Sequence, residues 1–115
     1  MAKTYFGFAV ADSMFQGDVT IARRCLSVEE AKAIIAGGVI ACLNPSHQAT
    51  IDAAKVRYGI EVEIPATAPK VSLGTGDQLV VMGVRGLPRL DATRHEYTED
   101  EIASATFAFS LYSVL

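Results

Sequence analysis

The residues of this chain that are best suited to chemistry lie together in segment 44–50. The apolar residues 39–43 lead directly into Asn44 and Pro45, which are residue types that favour the start of a helix. Because the first turn of a helix leaves backbone N–H groups unpaired, anions collect there. His47 adds a side chain that exchanges a proton near neutral pH. The pattern predicts a phosphate site with a proton-transfer group; the alternative is that His47 only caps its own helix. Hydroxyl donors in the same segment are Ser46 and Thr50.

A second set of candidate residues follows the apolar stretch 79–84. Arg85 and Arg89 stand there, separated by glycine and proline, and a guanidinium suits phosphate because its planar fork makes paired charge-assisted hydrogen bonds. The alternative is that both arginines are ordinary surface charges at the end of a strand. Segment 74–77 lacks the lysine and the helix of an ATP-binding loop, so ATP hydrolysis is not expected.

Metal chemistry is not predicted. The two cysteines and two histidines stand at unrelated spacings, and no pair of carboxylates shares a face as a two-metal nuclease would need. Cys25 and Cys42 have apolar neighbours and are interpreted as buried, reduced thiols. His95 lies between charged residues and is interpreted as a surface histidine. We therefore expect neither a metal nor another cofactor.

Composition narrows the class of protein further. The 115 residues are half apolar, which indicates one folded domain over 1–115. A net charge of −3 argues against binding duplex DNA, which requires a basic surface. The apolar runs fall short of the roughly 20 residues of a membrane helix, and no secretory leader is recognisable. The expected location is the cytoplasm.

Three helices are predicted from local signals. Ser27 and Glu30 form a capping box that begins the first, which ends at Gly37 and Gly38. The second starts at Asn44 and ends at Gly59, and a capping box at Thr98 and Glu101 begins a short third.

The remaining apolar segments predict strands, of which 39–43, apolar throughout, is expected to be central. Segments 5–10 and 19–23 are expected to form one hairpin, and 70–73 and 79–84 another. Together they predict the α+β class, a mixed sheet with two or three helices packed on it. Two more strands are predicted, at 60–64 and 105–115.

The order of these segments resembles the viral ring nucleases, a type III anti-CRISPR family with relatives in archaeal viruses, phages and bacteria. The central similarity is the apolar strand that runs into a histidine between small residues and a threonine, here segment 46–50. The other similar pieces are Tyr5-Phe6 followed by Ala9 and Met14, residues 59–62, residues 76–81 and the aromatic terminal strand.

The resemblance implies a homodimer that cleaves cyclic tetra-adenylate, the messenger of type III CRISPR immunity, in the cytoplasm of a virus-infected host. It implies a metal-independent reaction in which a ribose 2′-hydroxyl attacks phosphorus, His47 protonates the departing 5′-oxygen, and an arginine, Arg85 or Arg89, holds the phosphate charge. The substrate-binding positions that it implies are Ser46, Gln48, Thr50, Ala11, Ser13 and Lys70.

Several positions depart from the family pattern. Phe8, Ala11 and Ser13 stand where the family has asparagine, serine and asparagine, and Gln48 replaces an acidic residue. Lys70 would stand in for an arginine. The strand glutamine of the family is Gly83 here, and its arginine falls nearest Leu87. The altered loop motivates one alternative, a module that sequesters a nucleotide messenger without cutting it. Another is a small viral interaction protein that uses the fold only to dimerise.

Overall fold

One five-stranded mixed sheet organises the computed structural model, which describes residues 2–87 and 97–115. Its strand order is β2-β5-β4-β1-β3, and three α-helices accompany it, so the predicted α+β class is confirmed. The elements are β1 (Thr4–Gly7), β2 (Ile21–Leu26), α1 (Val28–Ala36), β3 (Ile40–Ala41), α2 (Gln48–Tyr58), β4 (Gln78–Arg85), α3 (Glu99–Ser104) and β5 (Thr106–Val114), with 3-10 turns at Asp12–Met14 and Pro45–His47.

Four of the five strands, β1 to β4, run in the same direction, and β5 runs against them. β1 pairs in parallel with β3 on one side and with β4 on the other, whereas β5 is antiparallel to both β4 and β2. The carboxyl ends of β1, β3 and β4 therefore meet at one edge of the sheet. The chain leaves this edge through Phe8, through segment 42–47 and through Gly86.

The main core lies between one face of the sheet and the three helices. Period-two alternation puts Phe107, Phe109 and Leu111 of β5 on this face, where they join the fully buried Phe6 of β1. Burying each of these large side chains stabilises the fold by about 1.5–3 kcal/mol. A smaller cluster around Tyr5, Leu73, Leu79 and Val114 covers part of the opposite face.

The helix boundaries agree with the capping signals in the sequence. In α1 the Ser27 hydroxyl accepts the Glu30 N–H (3.1 Å) and the Glu30 carboxylate accepts the Ser27 N–H (3.0 Å). Thr98 and Glu101 make the same reciprocal pair at the start of α3, at 3.1 and 2.8 Å. The end of α2 at Gly59 is also confirmed, since this residue has φ +73°, a conformation that suits glycine.

The two predicted hairpins are wrong. β2 does not pair with β1 but lies at the far edge of the sheet on β5. The physical reason is burial: β1 buries both Tyr5 and Phe6, one on each face, and so belongs inside the sheet. Likewise β4 has β1 on one side and β5 on the other. It has no free edge for segment 70–73, whose Leu73 makes a single bridge to Phe15 instead.

Two other strand predictions also need correction. Only Ile40–Ala41 of segment 39–43 pairs, and it pairs at an edge, with Ile40 41% exposed. Segment 60–64 belongs to no strand, although its side chains alternate as expected, Ile60 buried and Glu61 exposed. Alternation of apolar and polar side chains shows only that one face of a segment is buried and the other exposed. An extended segment that packs on the core shows this pattern without pairing to another strand. The predicted terminal strand is confirmed as β5, which lies inside the sheet between β2 and β4.

Among residues 2–87 and 97–115 no helix combines the length and the apolar character needed to cross a bilayer.

Candidate functional site

His47 is held in a defined orientation at the start of α2. It is the last residue of the turn Pro45–His47, it is half-buried, and its Nδ1 atom accepts a hydrogen bond from the Asn44 N–H at 3.2 Å. A neutral imidazole whose Nδ1 accepts must carry its proton on Nε2. Within the described part of the chain Nε2 has no hydrogen-bond partner, so the ring can donate from that atom.

An aromatic contact gives His47 a second restraint. The Phe8 ring, directly after β1, stands perpendicular to the imidazole with 5.1 Å between ring centroids. Phe8 in turn meets the buried Phe6 ring edge to face, at 6.2 Å. Edge-to-face pairs of this kind are worth about 0.5–1.5 kcal/mol beyond their burial. The imidazole is thus held through Phe8 against the core of the sheet.

Three N–H groups at this helix start already have acceptors within the chain, whereas the sequence predicted them to be free. The Asn44 side-chain oxygen accepts both the Ser46 N–H (3.0 Å) and the Ser46 hydroxyl. The Asn44 carbonyl accepts the His47 N–H (3.0 Å), and the Pro45 carbonyl accepts the Gln48 N–H. A phosphate at this end of the helix would have to displace Asn44. The anion site predicted from the bare helix terminus is therefore already filled by the chain itself.

A cavity of about 420 Å³ opens beside this cluster, at the carboxyl edge of β1 and β4. Phe8 lines the cavity and also contacts His47, which is not itself among the described lining residues. Thr50 is the predicted site residue that lines the cavity directly. None of the described lining residues carries a charge. The full lining is Phe8, Thr50, Met82, Gly83, Val84, Leu87 and Tyr97.

Arg85 lies on the other face of the sheet. Because side chains alternate along β4, Val84 faces the cavity whereas Arg85 lines a separate groove of about 460 Å³. Arg23 lines the same groove and donates to Tyr112 Oη (3.1 Å) and Ser110 Oγ (3.0 Å). Within one chain His47 and Arg85 do not line a common cavity. Arg89 and His95 lie outside the described residues.

The other predicted substrate-binding residues do not line the cavity. Gln48 donates its amide to the Asp52 carboxylate at 2.8 Å, on the exposed side of α2. Ala11 and Ser13 lie at the exposed turn Asp12–Met14, where the Ala11 N–H points at Met14 Sδ (3.4 Å). The fourth of these residues is Lys70, which is exposed in the connection between α2 and β4.

Sequence reasoning missed Tyr97, which lines the cavity together with Phe8. A signal for it exists. Tyr97 directly precedes the N-cap Thr98, the position from which an apolar residue often packs back onto its helix. Its packing against the main core fits that signal.

The cysteines differ from each other, contrary to the prediction that both are buried. Cys25 is exposed on the edge strand β2, because its side chain lies on the face that the helices leave open. Cys42 is half-buried, and burial raises the pKa of its thiol to about 11. In the part of the chain that the structure describes, no three His, Cys, Asp or Glu residues gather as metal ligands would.

Comparisons with known proteins support the fold. No protein-family model matches the chain, and no curated protein matches it. Among solved structures, the chain is similar to B116 of Sulfolobus turreted icosahedral virus, with a TM-score of 0.70 and 17% sequence identity. The match covers 97% of this chain and 99% of that one. At this identity the likeness concerns the fold, and the protein that shares it is viral.

Proposed function

We propose that this protein is a metal-independent ring nuclease that cleaves a cyclic oligonucleotide messenger, cyclic tetra-adenylate in the first instance. The observation that carries the proposal is the restrained His47, with Nε2 available, in contact with Phe8, which lines a cavity at the carboxyl ends of β1 and β4. The likeness in fold to a viral protein supports it. Its place of action would be the host cytoplasm, where it would end type III CRISPR signalling.

In the proposed reaction a ribose 2′-oxygen attacks the adjacent phosphorus and the bond from phosphorus to the 5′-oxygen breaks. The 2′-hydroxyl proton passes to water, and imidazolium at His47 gives its Nε2 proton to the departing 5′-oxygen. A bound phosphodiester favours the imidazolium form by its negative charge. Protonation puts a hydrogen on Nδ1, which then releases the Asn44 N–H. A positioned acid of this kind contributes about 10²–10⁴ in rate.

The charge of the transition state needs a cation, and none of the described residues that line the cavity carries a positive charge. We assign this role to Arg89, or to Arg85 brought in by a second copy in the homodimer. Two copies also suit the substrate, because a ring of four nucleotides exceeds a single cavity of about 420 Å³.

The direct test is cleavage of labelled cyclic tetra-adenylate by the purified protein in EDTA. We expect linear products from the unaltered chain and a loss of about 10²–10⁴ in rate for His47→Ala, with binding retained. The matched control is His95→Ala, which removes the chain's other histidine and should leave cleavage intact. An unaltered substrate after prolonged incubation with the native protein would remove the enzyme assignment.

A second candidate function is sequestration of the same messenger without cleavage. Two observations favour it: no arginine is among the described residues that line the cavity, and Asn44 already accepts the Ser46 and His47 N–H groups. Denaturing the complex and recovering the ligand separates the two functions. Intact ring supports sequestration, and linear product supports cleavage.

A further inference from the structure

The cavity beside His47 suits an uncharged, flat group better than a phosphate. Its described lining is apolar and aromatic apart from the hydroxyls of Thr50 and Tyr97. A phosphate inside it would lose its hydration without gaining a counter-charge from the described lining, which is unfavourable. The part of a nucleotide that gains from such surroundings is its base.

Phe8 is placed to act on such a base. Its ring forms a wall of the cavity, and the ring's contacts with Phe6 and His47 hold it in place. A held ring loses little conformational freedom when a ligand packs on it, which favours binding. Volume agrees as well, since a cavity of about 420 Å³ lies within the usual range for small-molecule sites of about 300–1,000 Å³.

We infer that a nucleobase of the ligand enters this cavity and packs against Phe8, while the phosphodiester next to it stays outside the cavity, near His47. The inference rests on the proposed function and adds to it a base-contacting residue specific to this chain. Phe8 then has two tasks, because the ring that receives the base also orients the imidazole.

The experiment uses a ring that binds but cannot be cut. The probe is 2′-O-methylated cyclic tetra-adenylate with one adenine replaced by 2-aminopurine, whose fluorescence is quenched by stacking. The native protein should quench it. Phe8→Leu should abolish the quench and weaken binding about 5- to 150-fold, the range for losing one base-aromatic stack. Phe15→Leu makes the same change in the small cluster on the opposite face and should alter neither quantity.

A second measurement needs no variant, so it remains valid even if a thermal melt shows that Phe8→Leu is not folded. A cyclic probe with abasic sites should bind the native protein more weakly than the probe with all its bases. Tight binding of both probes, without quenching and without an effect of Phe8→Leu, would overturn the inference and leave ring binding in place. Absence of any binding, together with uncut cyclic tetra-adenylate, would instead overturn the proposed function.

Discussion

Single side chains carry most of the chemistry proposed for this protein, and their contacts set what each can do. His47 is oriented by one backbone N–H and one aromatic ring, so its Nε2 proton points to a fixed place. The Ser46 hydroxyl could donate to a phosphate, but in this structure it donates to the Asn44 side-chain oxygen. Residue type alone therefore overstates what segment 44–50 offers an anion.

The carboxyl group of Glu30 should make the stability of the fold depend on pH. Hydrogen bonds from Ser27 and from Arg24 lower the pKa of its carboxyl to about 2, from an ordinary value of 4.5. Because the folded value is the lower one, the stabilisation is present above pH 4.5 and is lost as pH falls toward 2. Urea unfolding over that range should show a smaller loss of stability for Glu30→Gln than for the native chain. Glu29→Gln, in the same helical turn, is the control; equal losses in the native and Glu30→Gln proteins would contradict the argument.

Elements are held together by a few specific contacts besides the core. Arg57, in the last turn of α2, donates from Nη1 to the carbonyls of Ile102 (2.7 Å), Ala103 (2.9 Å) and Ala105 (3.0 Å). These carbonyls lie at the end of α3, where unpaired acceptors and the helix dipole favour a cation. Since α3 has only six residues, it depends on such contacts.

We expect Arg57→Met to lower the free energy of unfolding by about 1–3 kcal/mol, because three carbonyls lose a charged donor. Lys55→Met is the matched control on the same helix. It breaks only an exposed ion pair with Glu61 (3.2 Å), which is worth about 0–1 kcal/mol. Chemical denaturation of both variants measures the difference, and an equal effect of the two would refute the role given to Arg57.

The arrangement of the groove and the cavity on the whole molecule favours a homodimer. The groove lined by Arg23 and Arg85 lies on the sheet face that the helices leave open, and one cavity at the carboxyl edge is small for a ring of four nucleotides. We predict that the protein is a homodimer in solution. Light scattering coupled to size exclusion should give twice the chain mass of 12.3 kDa at micromolar concentration. A monomer that cleaves the ring at the same concentration would show that the second copy is unnecessary.

Helix boundaries and fold class were readable from the chain because their causes are local. A capping box, a proline after a capping asparagine and a glycine after the last turn act within a few residues of one another. His47 was found in the same way, since it stands at a fixed offset from Asn44 and Pro45.

Strand partners and the composition of the cavity depend on contacts far apart in sequence. β1 joins β3 and β4, which lie some 35 to 75 residues away, and no short-range signal encodes that choice. The same pairing puts Arg85 on the sheet face away from the cavity and leaves the described cavity lining, which includes Phe8 and Tyr97, without charge. Short-range sequence signals are thus enough to predict His47 as a candidate, whereas the residues that surround it are determined by long-range packing.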